Sequence, residues 1–536
     1  MMNGKIEIGR WARRSAIFVA LSATLILAAS TAQANQQTFQ QAESALSAWQ
    51  MTEARQSIDA LSRRASGPYV AYLEGRYAFY SGDYEEALEL LDQALEGENR
   101  SDWRRLRDIV EATLEVTADY ERHVSPSGRF EIFIEPGRDE VLLPYAFEAL
   151  EKAYDELGDE IGHHPDQPVR VEVYPRETVL AQVSMLTEDN IRTSGTIALC
   201  QYNRLMITSP RAVLRGYTWV DTLIHEYVHL IINQRTTENV PIWMHEGLAK
   251  YLERRWRGEN MAVLDASAEH LLNRRLEEDD LIPFAAMHPS MAMLPSQQDA
   301  AVAFAQVYTT MEYLRAEVGQ GAFAQLLDTV DEGYGAKDAY ARVLGTTWRQ
   351  FEDQIWPAYL RERSVPDLPD DEDEIYQERL VFDDEAASKG NELQDIEVPE
   401  AREHMQLGQM FQVRNRYGAA AVQYGKAAEI MGDKNPILQT RMAKTLTLSG
   451  SPLEAIDALQ TVKELYPSYV STWLELGRAY MAAEEYGQAR RTLQEAARIN
   501  PFNPEVHELL ARAHRHLGES DQAEVARRAA AIARGR

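Results

Sequence analysis

Along the 536-residue chain, the central region differs in its pattern of apolar and polar residues from the regions on either side. Three of its segments alternate with period two, as half-buried strands do: 129–134, 169–174 and 204–208. The segment 142–157 has helical spacing, and helices dominate after Thr218. Strands followed by helices predict an α+β domain at 125–362.

The C-terminal region, 399–536, repeats with a period of 34–35 residues. Two sets of small residues mark this period, twelve positions apart: Gly408, Ala443, Gly477 and Ala511, then Ala420, Ala455, Ala489 and Ala523. Small residues at such positions let the two helices of a unit approach closely, and larger ones fill the seam to the next unit. The pattern, plainest at 473–480, resembles tetratricopeptide repeats. It therefore implies an all-α array whose surface binds a protein partner.

A similar unit stands in the N-terminal region, 35–122. Its small and bulky residues fall at tetratricopeptide-like positions: Gly75, Ala78, Gly82, Tyr84, Ala87, Leu91 and Ala94. We expect a more degenerate unit at 36–65 and one further helix at 101–121. The sequence thus predicts all-α repeat segments on both sides of the α+β domain.

The first 34 residues have the features of a secretory signal peptide. Four basic residues between Lys5 and Arg14 precede an apolar run at 16–29, and the segment ends in the residues AQA. The alternative is a membrane anchor, but a span needs about 20 apolar residues and this run is shorter. We expect cleavage after Ala34 and export to a bacterial periplasm or to the medium, with no membrane span afterwards.

Charge and cysteine content narrow the possible functions. The formal net charge of −29 disfavours binding to nucleic-acid phosphates. The one cysteine, Cys200, excludes an internal disulfide and a zinc site built from two thiolates of this chain. We interpret Cys200 as a small core residue, and the alternative is a thiol at the edge of a cleft.

An acidic segment separates the central domain from the C-terminal repeats. Ten residues at 367–385 are acidic and one is an arginine, which predicts a solvated linker at 363–398. The alternative is an acidic docking strip or a calcium-binding segment.

The segment HEYVH at 225–229 has the spacing of a metal-binding helix. Residues four apart lie on one helical face, so both imidazoles can bind one ion. Glu226 can reach a water molecule at that ion. A catalytic zinc needs a third protein ligand, and Glu246, near the start of a second predicted helix at 243–253, can turn back towards it.

The sequences HEYVHL at 225–230 and WMHEGLAKYLE at 243–253 together resemble the gluzincin metallopeptidases, the peptidase-MA-like group of thermolysin-like and aminopeptidase-N-like enzymes. The resemblance covers about 125–330. It implies a thermolysin-like catalytic domain with one zinc ion per chain. It also implies three zinc ligands and a general base: His225, His229 and Glu246 as ligands, and Glu226 as the base.

Two positions depart from the family pattern. His245 stands where the family commonly has Asn, and it either competes for the metal or lines the pocket, or it lies at the surface or behind the ligands. Phe304 stands where the family often has the tyrosine that stabilises the oxyanion, which makes Tyr308, one turn on, the candidate for that role. The G-x-M-E-N segment that holds a free amino terminus in aminopeptidase-N-like enzymes is absent from the sequence.

These features predict an exported zinc-dependent endopeptidase whose repeats bind a protein or peptide, either as substrate or as partner. Zinc would lower the pKa of a water molecule, and Glu226 would take up its proton. We expect an extended substrate to pair with an edge strand at 203–208. The alternative, from a different class, is a non-catalytic assembly factor in which a degenerate peptidase fold serves as a scaffold.

Overall fold

A computed structural model describes residues 33–236, 240–258, 264–288, 290–291, 294–363, 392–396 and 398–535. All but the last two residues of the predicted signal peptide lie outside this part of the chain, as does most of the predicted acidic linker. Helices account for 71% of the structure and accompany one five-stranded sheet, which confirms the α+β class. Among the described helices, none has both the length and the apolar character needed to cross a bilayer.

The chain divides into two compact units at residue 116. The first unit is built from helical hairpins with these bounds: α1 (33–47), α2 (Met51–Ser62), α3 (Pro68–Ser81), α4 (Tyr84–Gly97) and α5 (Ser101–Thr117). Gly75 shows why a small residue is needed between α3 and α4. A Cβ atom at this position would lie 3.0 Å from Cγ of Leu91, so a larger residue would push the two helices apart.

The second unit begins with the sheet, whose strands are β1 (Glu121–Val124), β2 (Phe130–Ile134), β3 (Val169–Tyr174), β4 (Ala198–Gln201) and β5 (Arg204–Thr208). The spatial order is β1-β2-β3-β5-β4. The central strands β2, β3 and β5 are parallel, and the outer strands β1 and β4 are antiparallel to their neighbours. The three alternating segments of the sequence are therefore confirmed as the three parallel strands.

The structure corrects the expected position of the edge strand. Strand β5, which covers most of 203–208, pairs with β3 on one side and β4 on the other, so its backbone groups are already engaged. Among the described strands, β4 and β1 form the two edges of the sheet. A peptide that adds a strand at this end of the sheet must therefore pair with β4, not with β5.

Helices cover the sheet and extend the central domain. They are α6 (Leu143–Ile161), α7 (Glu177–Gln182), α8 (Glu188–Ser194), α9 (Trp219–Arg235), α10 (Ile242–Leu252), α11 (Ala266–Glu277), α12 (Gln297–Val318), α13 (Ala322–Asp331), α14 (Ala336–Leu344), α15 (Trp348–Gln350) and α16 (Trp356–Glu362). Shorter turns are 3₁₀ at Arg138–Leu142, Pro210–Ala212, Arg255–Arg257, Phe284–Met287 and Glu392–Asp395, and π-helical at Phe351–Ile355. The predicted helices at 142–157 and 243–253 are confirmed as α6 and α10 within a few residues.

Four further helical pairs follow: α17 (Pro399–Val413), α18 (Tyr417–Met431), α19 (Pro436–Ser449), α20 (Pro452–Leu465), α21 (Val470–Ala482), α22 (Tyr486–Ile499), α23 (Pro504–His516) and α24 (Ser520–Ala533). The periodic small residues lie inside these pairs. A Cβ atom on Gly408 would come within 2.5 Å of the Tyr424 ring, and one on Gly477 within 2.5 Å of Leu493. In these two pairs the helices therefore come into close contact at a glycine.

The C-terminal array packs against the central domain. Arg257 links α9 to α22, because its guanidinium lies 2.6 Å from Asp221 and 2.6 Å from Glu495. The loop before α9 approaches the end of α22 so closely that a Cβ atom on Gly216 would lie 2.6 Å from the carbonyl oxygen of Ile499. The repeats therefore contact the N-terminal end of α9, the helix that carries the HEYVH motif.

The end of the predicted linker belongs to the folded array. Leu393 and Ile396 are 2% and 1% exposed, and they pack in one core with Met405 and Tyr424. The carboxylate of Glu392 lies 3.2 Å from Arg441. The predicted boundary at 398 therefore lies several residues too far along the chain.

Candidate metal centre

Helix α9 carries the HEYVH motif through the core of the central domain. Its apolar residues pack against β4, β5, α6 and α10, and Leu223, Ile224 and Val228 are at most 1% exposed. This packing fixes the direction of the polar face. His225 and His229 lie one turn apart on that face, with ring centroids 4.8 Å apart.

Helix α10 carries Glu246, the predicted third ligand. It starts after Pro241, and Gly247 lets it approach α12, since a Cβ atom there would lie 3.0 Å from the carbonyl oxygen of Val307. The Oε2 atom of Glu246 consequently lies 3.2 Å from Nε2 of His225 and 3.6 Å from Nε2 of His229. Ligand atoms of the three residues all lie within 4.8 Å of one another.

The charges of this cluster suit a divalent cation. Burial raises the pKa of Glu246, but the two imidazoles outweigh that effect and hold the pKa well below its usual range, so the carboxylate is charged. Burial lowers the pKa of His225, while the carboxylates of Glu246 and Glu253 raise it to about 10. Two imidazole nitrogens and one carboxylate oxygen are the donor types that zinc accepts.

Glu226 lies beside the sheet edge. Its residue is 8% exposed, and burial raises the pKa of its carboxyl group, against the charges of His229 and His225. A hydrogen bond from the backbone N–H of Cys200, in β4, acts in the opposite direction to burial and lowers that pKa. The carboxylate of Glu226 is thus anchored to the strand that forms the edge of the sheet.

Two residues behind the ligands orient their rings. Nδ1 of His225 lies 3.1 Å from Oε2 of Glu253, whose other oxygen lies 2.7 Å from Nζ of Lys250. Nδ1 of His229 lies 3.0 Å from Nδ1 of His245. Each contact occupies Nδ1 and leaves Nε2 for the metal, which is how metal-binding histidines are commonly held.

His245 therefore supports the site from behind, as one interpretation of the sequence allowed. Burial and the neighbouring His229 lower the pKa of His245 to about 3, so its imidazole is neutral and can exchange a hydrogen bond with His229. Sequence reasoning missed Glu253 as an orienting residue. The available signal was spacing: Glu253, the C-cap of α10, stands seven positions after Glu246, about two helical turns, so both carboxylates point to one side of the helix.

The structure places Tyr308 in the packed interior of the central domain. The residue is 2% exposed, its ring packs on Tyr251, and its hydroxyl lies 3.4 Å from Oε1 of Glu312. Glu312 also accepts a hydrogen bond from Tyr359 at 2.6 Å. This environment does not support the predicted role of Tyr308 in stabilising an oxyanion.

A different tyrosine is influenced by the charge of the proposed base. Burial raises the pKa of Tyr217, and the charge of Glu226 raises it further. The Tyr217 hydroxyl donates a hydrogen bond to the carbonyl oxygen of Thr208, at the end of β5. Nothing in the sequence marked Tyr217, because it stands in the loop before α9 and belongs to no periodic pattern.

Cys200 also differs from its expected environment. It is partly exposed on β4 rather than enclosed in the core, and burial, followed by the charge of Glu226, raises the pKa of its thiol. A raised pKa keeps the thiol protonated and therefore weakly nucleophilic.

Two kinds of family model match parts of the chain. Residues 149–362 match the Peptidase MA superfamily, and tetratricopeptide-repeat families match 72–107, 446–513 and 480–525. The chain contains a Peptidase MA superfamily domain with tetratricopeptide repeats on both sides.

Individual relatives match parts of the chain. The TPR repeat-containing protein YpiA of Bacillus subtilis is 29% identical over 119 residues, which are 22% of this chain and 28% of YpiA. Native leukotriene A4 hydrolase from Saccharomyces cerevisiae is 14% identical, with 77% of this chain and 67% of that chain covered and a TM-score of 0.29. MamA is 17% identical, with 28% and 82% covered and a TM-score of 0.23. The chain thus spans little more than a quarter of its curated relative.

Proposed function

We propose that the protein is an exported, zinc-dependent metallopeptidase that cleaves within polypeptide chains, and that its repeats bind protein substrates or partners. One observation carries the proposal: His225, His229 and Glu246 converge within 4.8 Å beside the buried Glu226. The Peptidase MA superfamily match at 149–362 supports the reaction class. The signal-peptide pattern at 1–34 supports export.

The three ligands would hold the zinc ion through two Nε2 atoms and one carboxylate oxygen. Zinc bound in this way supplies a Lewis acid that lowers the pKa of water and polarises a carbonyl group. Glu253 and His245 fix the two imidazole rings, so the ligands need little rearrangement when the ion binds.

Glu226 supplies the proton transfer. Its carboxylate accepts a proton from the attacking water while the oxygen of that water bonds to the peptide carbonyl carbon. The same carboxyl group then gives the proton to the leaving nitrogen, and the C–N bond breaks. A pKa raised by burial suits a group that must both take and give a proton near neutral pH.

Strand β4 supports cleavage within a chain rather than at its end. It is an edge of the sheet among the described strands, and its Cys200 N–H already contacts Glu226. An extended peptide that pairs with the outer side of β4 would pass this carboxylate. The pairing uses backbone groups alone, so it demands no free terminus.

A matched pair of variants tests the proposal. Glu226→Gln preserves the size of the side chain but removes the base, so we expect normal zinc content and a loss of at least about 100-fold in the rate of cleavage. His225→Ala should lose both zinc and cleavage. Mass spectrometry of a peptide library incubated with each protein measures the products.

The same assay separates the peptidase from a scaffold. Equal product formation by the wild type and Glu226→Gln would contradict the proposed mechanism. Absence of products from the wild type, in a library that covers all residue types on both sides of the bond, would favour the non-catalytic assembly factor.

A further inference from the structure

A cavity of about 850 Å³ lies in the second unit, and it shares no residue with the metal ligands. Its wall is formed by loops that follow the three parallel strands β2, β3 and β5, and by the turn between α22 and α23. Parallel strands end at one edge of a sheet, and in open α/β sheets ligands bind in the crevice outside these carboxyl ends. The volume is within the range of small-molecule sites.

Each of the three strands contributes one arginine to this cavity. Arg138 follows β2 by four residues, Arg176 follows β3 by two, and Arg211 follows β5 by three. Glu177 is the one carboxylate among the described lining residues. Three guanidinium groups around one cavity repel each other, and in a chain of net charge −29 they form a local positive region.

The three arginines differ in whether a carboxylate already pairs with them. Arg211 is neutralised by Asp139 and Glu135, whose carboxylates lie 2.9 Å from its guanidinium. Arg138 and Arg176 are exposed at the cavity and have no carboxylate partner within the described part of the chain. Two guanidinium groups therefore remain able to bind an anion.

The opposite wall comes from the C-terminal array. The ring of Phe502 lies 5.7 Å from the guanidinium of Arg138, whose NH2 group also donates to the carbonyl oxygen of Ala533 at 3.3 Å. These contacts hold Arg138 in place before any ligand arrives, which lowers the entropy lost on binding. Phe502 and the proline residues Pro175 and Pro210 give the cavity an apolar surface as well.

We propose that this cavity binds a small anion with carboxylate or phosphate groups, held between Arg138 and Arg176 beside Phe502. The planar guanidinium matches both kinds of oxyanion through paired N–H···O bonds. Binding there would bridge the sheet loops and the repeat array, since both form the wall. The proposal does not depend on peptidase activity.

Calorimetric titration of the purified protein with citrate, and separately with inorganic phosphate, tests this site. We expect one citrate or one phosphate per chain with a Kd below about 1 mM, and the tighter ligand identifies the source of the oxyanion. Arg176→Ala truncates an exposed side chain, so the variant should fold normally. It should weaken binding about tenfold, as expected for the loss of a charged hydrogen-bonding group.

Arg349→Ala provides the matched control, because the Arg349 side chain is 91% exposed and far from the lining residues in sequence. It should leave the Kd unchanged. A Kd above about 1 mM for both anions would overturn the proposal. So would equal binding by the Arg176→Ala and Arg349→Ala proteins.

Discussion

Replacing Glu253 with Ala should weaken zinc binding although Glu253 is not a ligand. Its Oε2 atom lies 3.1 Å from Nδ1 of His225, and its side chain is 10% exposed. Burial raises the pKa of Glu253, but Lys250 and His225 outweigh burial and lower the pKa to about 2, so the group is an anion at neutral pH. The anion fixes the ring and makes its Nε2 atom a better donor.

The size of the effect follows from this contact. Loss of a carboxylate that orients a metal-binding histidine lowers metal affinity about 10- to 100-fold, or about 1.4–2.7 kcal/mol. Glu253→Gln keeps an oxygen that can accept the bond but removes the charge, so its loss should be smaller than that of Glu253→Ala. We therefore predict that zinc affinity falls in the order wild type, Glu253→Gln, Glu253→Ala.

Competition with a chromogenic chelator of known zinc affinity measures the three dissociation constants. Glu278→Ala is the control, because the Glu278 side chain is 54% exposed and pairs with Arg274 on the surface of α11. Thermal unfolding of each zinc-free protein shows whether the fold is retained. Zinc affinity within twofold of wild type in Glu253→Ala would refute the claim that this carboxylate orients His225.

Three further predictions concern the fold. Gly408→Ala should destabilise the array by about 1–3 kcal/mol, because the new Cβ atom would meet the Tyr424 ring at 2.5 Å. Gly425→Ala should instead stabilise the array by up to about 1 kcal/mol, because no atom lies within 4 Å of the new Cβ atom. Urea unfolding measures both changes. Arg257→Ala should cost about 2–3 kcal/mol in the same assay, because it leaves Asp221, which is 4% exposed, with fewer cationic partners. Removing metal with a chelator should lower the Tm of the wild type and not that of a variant without the ligands, which differential scanning calorimetry can show.

Helices and the parallel strands could be predicted because their signals are local. The alternation at 129–134 and the small residues of the repeats each follow from spacing within one element. Strands β1 and β4 are only four residues long and show no clear alternation, so they were missed. The order of strands depends on pairing between distant segments, which is why β5 was wrongly expected at the edge.

In the candidate site too, local contacts could be predicted from the sequence and contacts between distant segments could not. His225 and His229 share one helix, so their spacing alone places them together. The contact between His225 and Glu253 joins residues 28 positions apart on two helices, and it needs the packing of α9 on α10. The three arginines of the cavity come from three separate loops and meet only because the strands before them are parallel.

The most direct test of the metallopeptidase is the metal content of the purified protein beside the His225→Ala variant, measured by elemental mass spectrometry. The account predicts about one zinc ion per wild-type chain and loss of that zinc in the variant. Absence of metal from both proteins after zinc has been supplied would contradict it. The chain would then be a repeat protein built around a peptidase fold that has lost its metal.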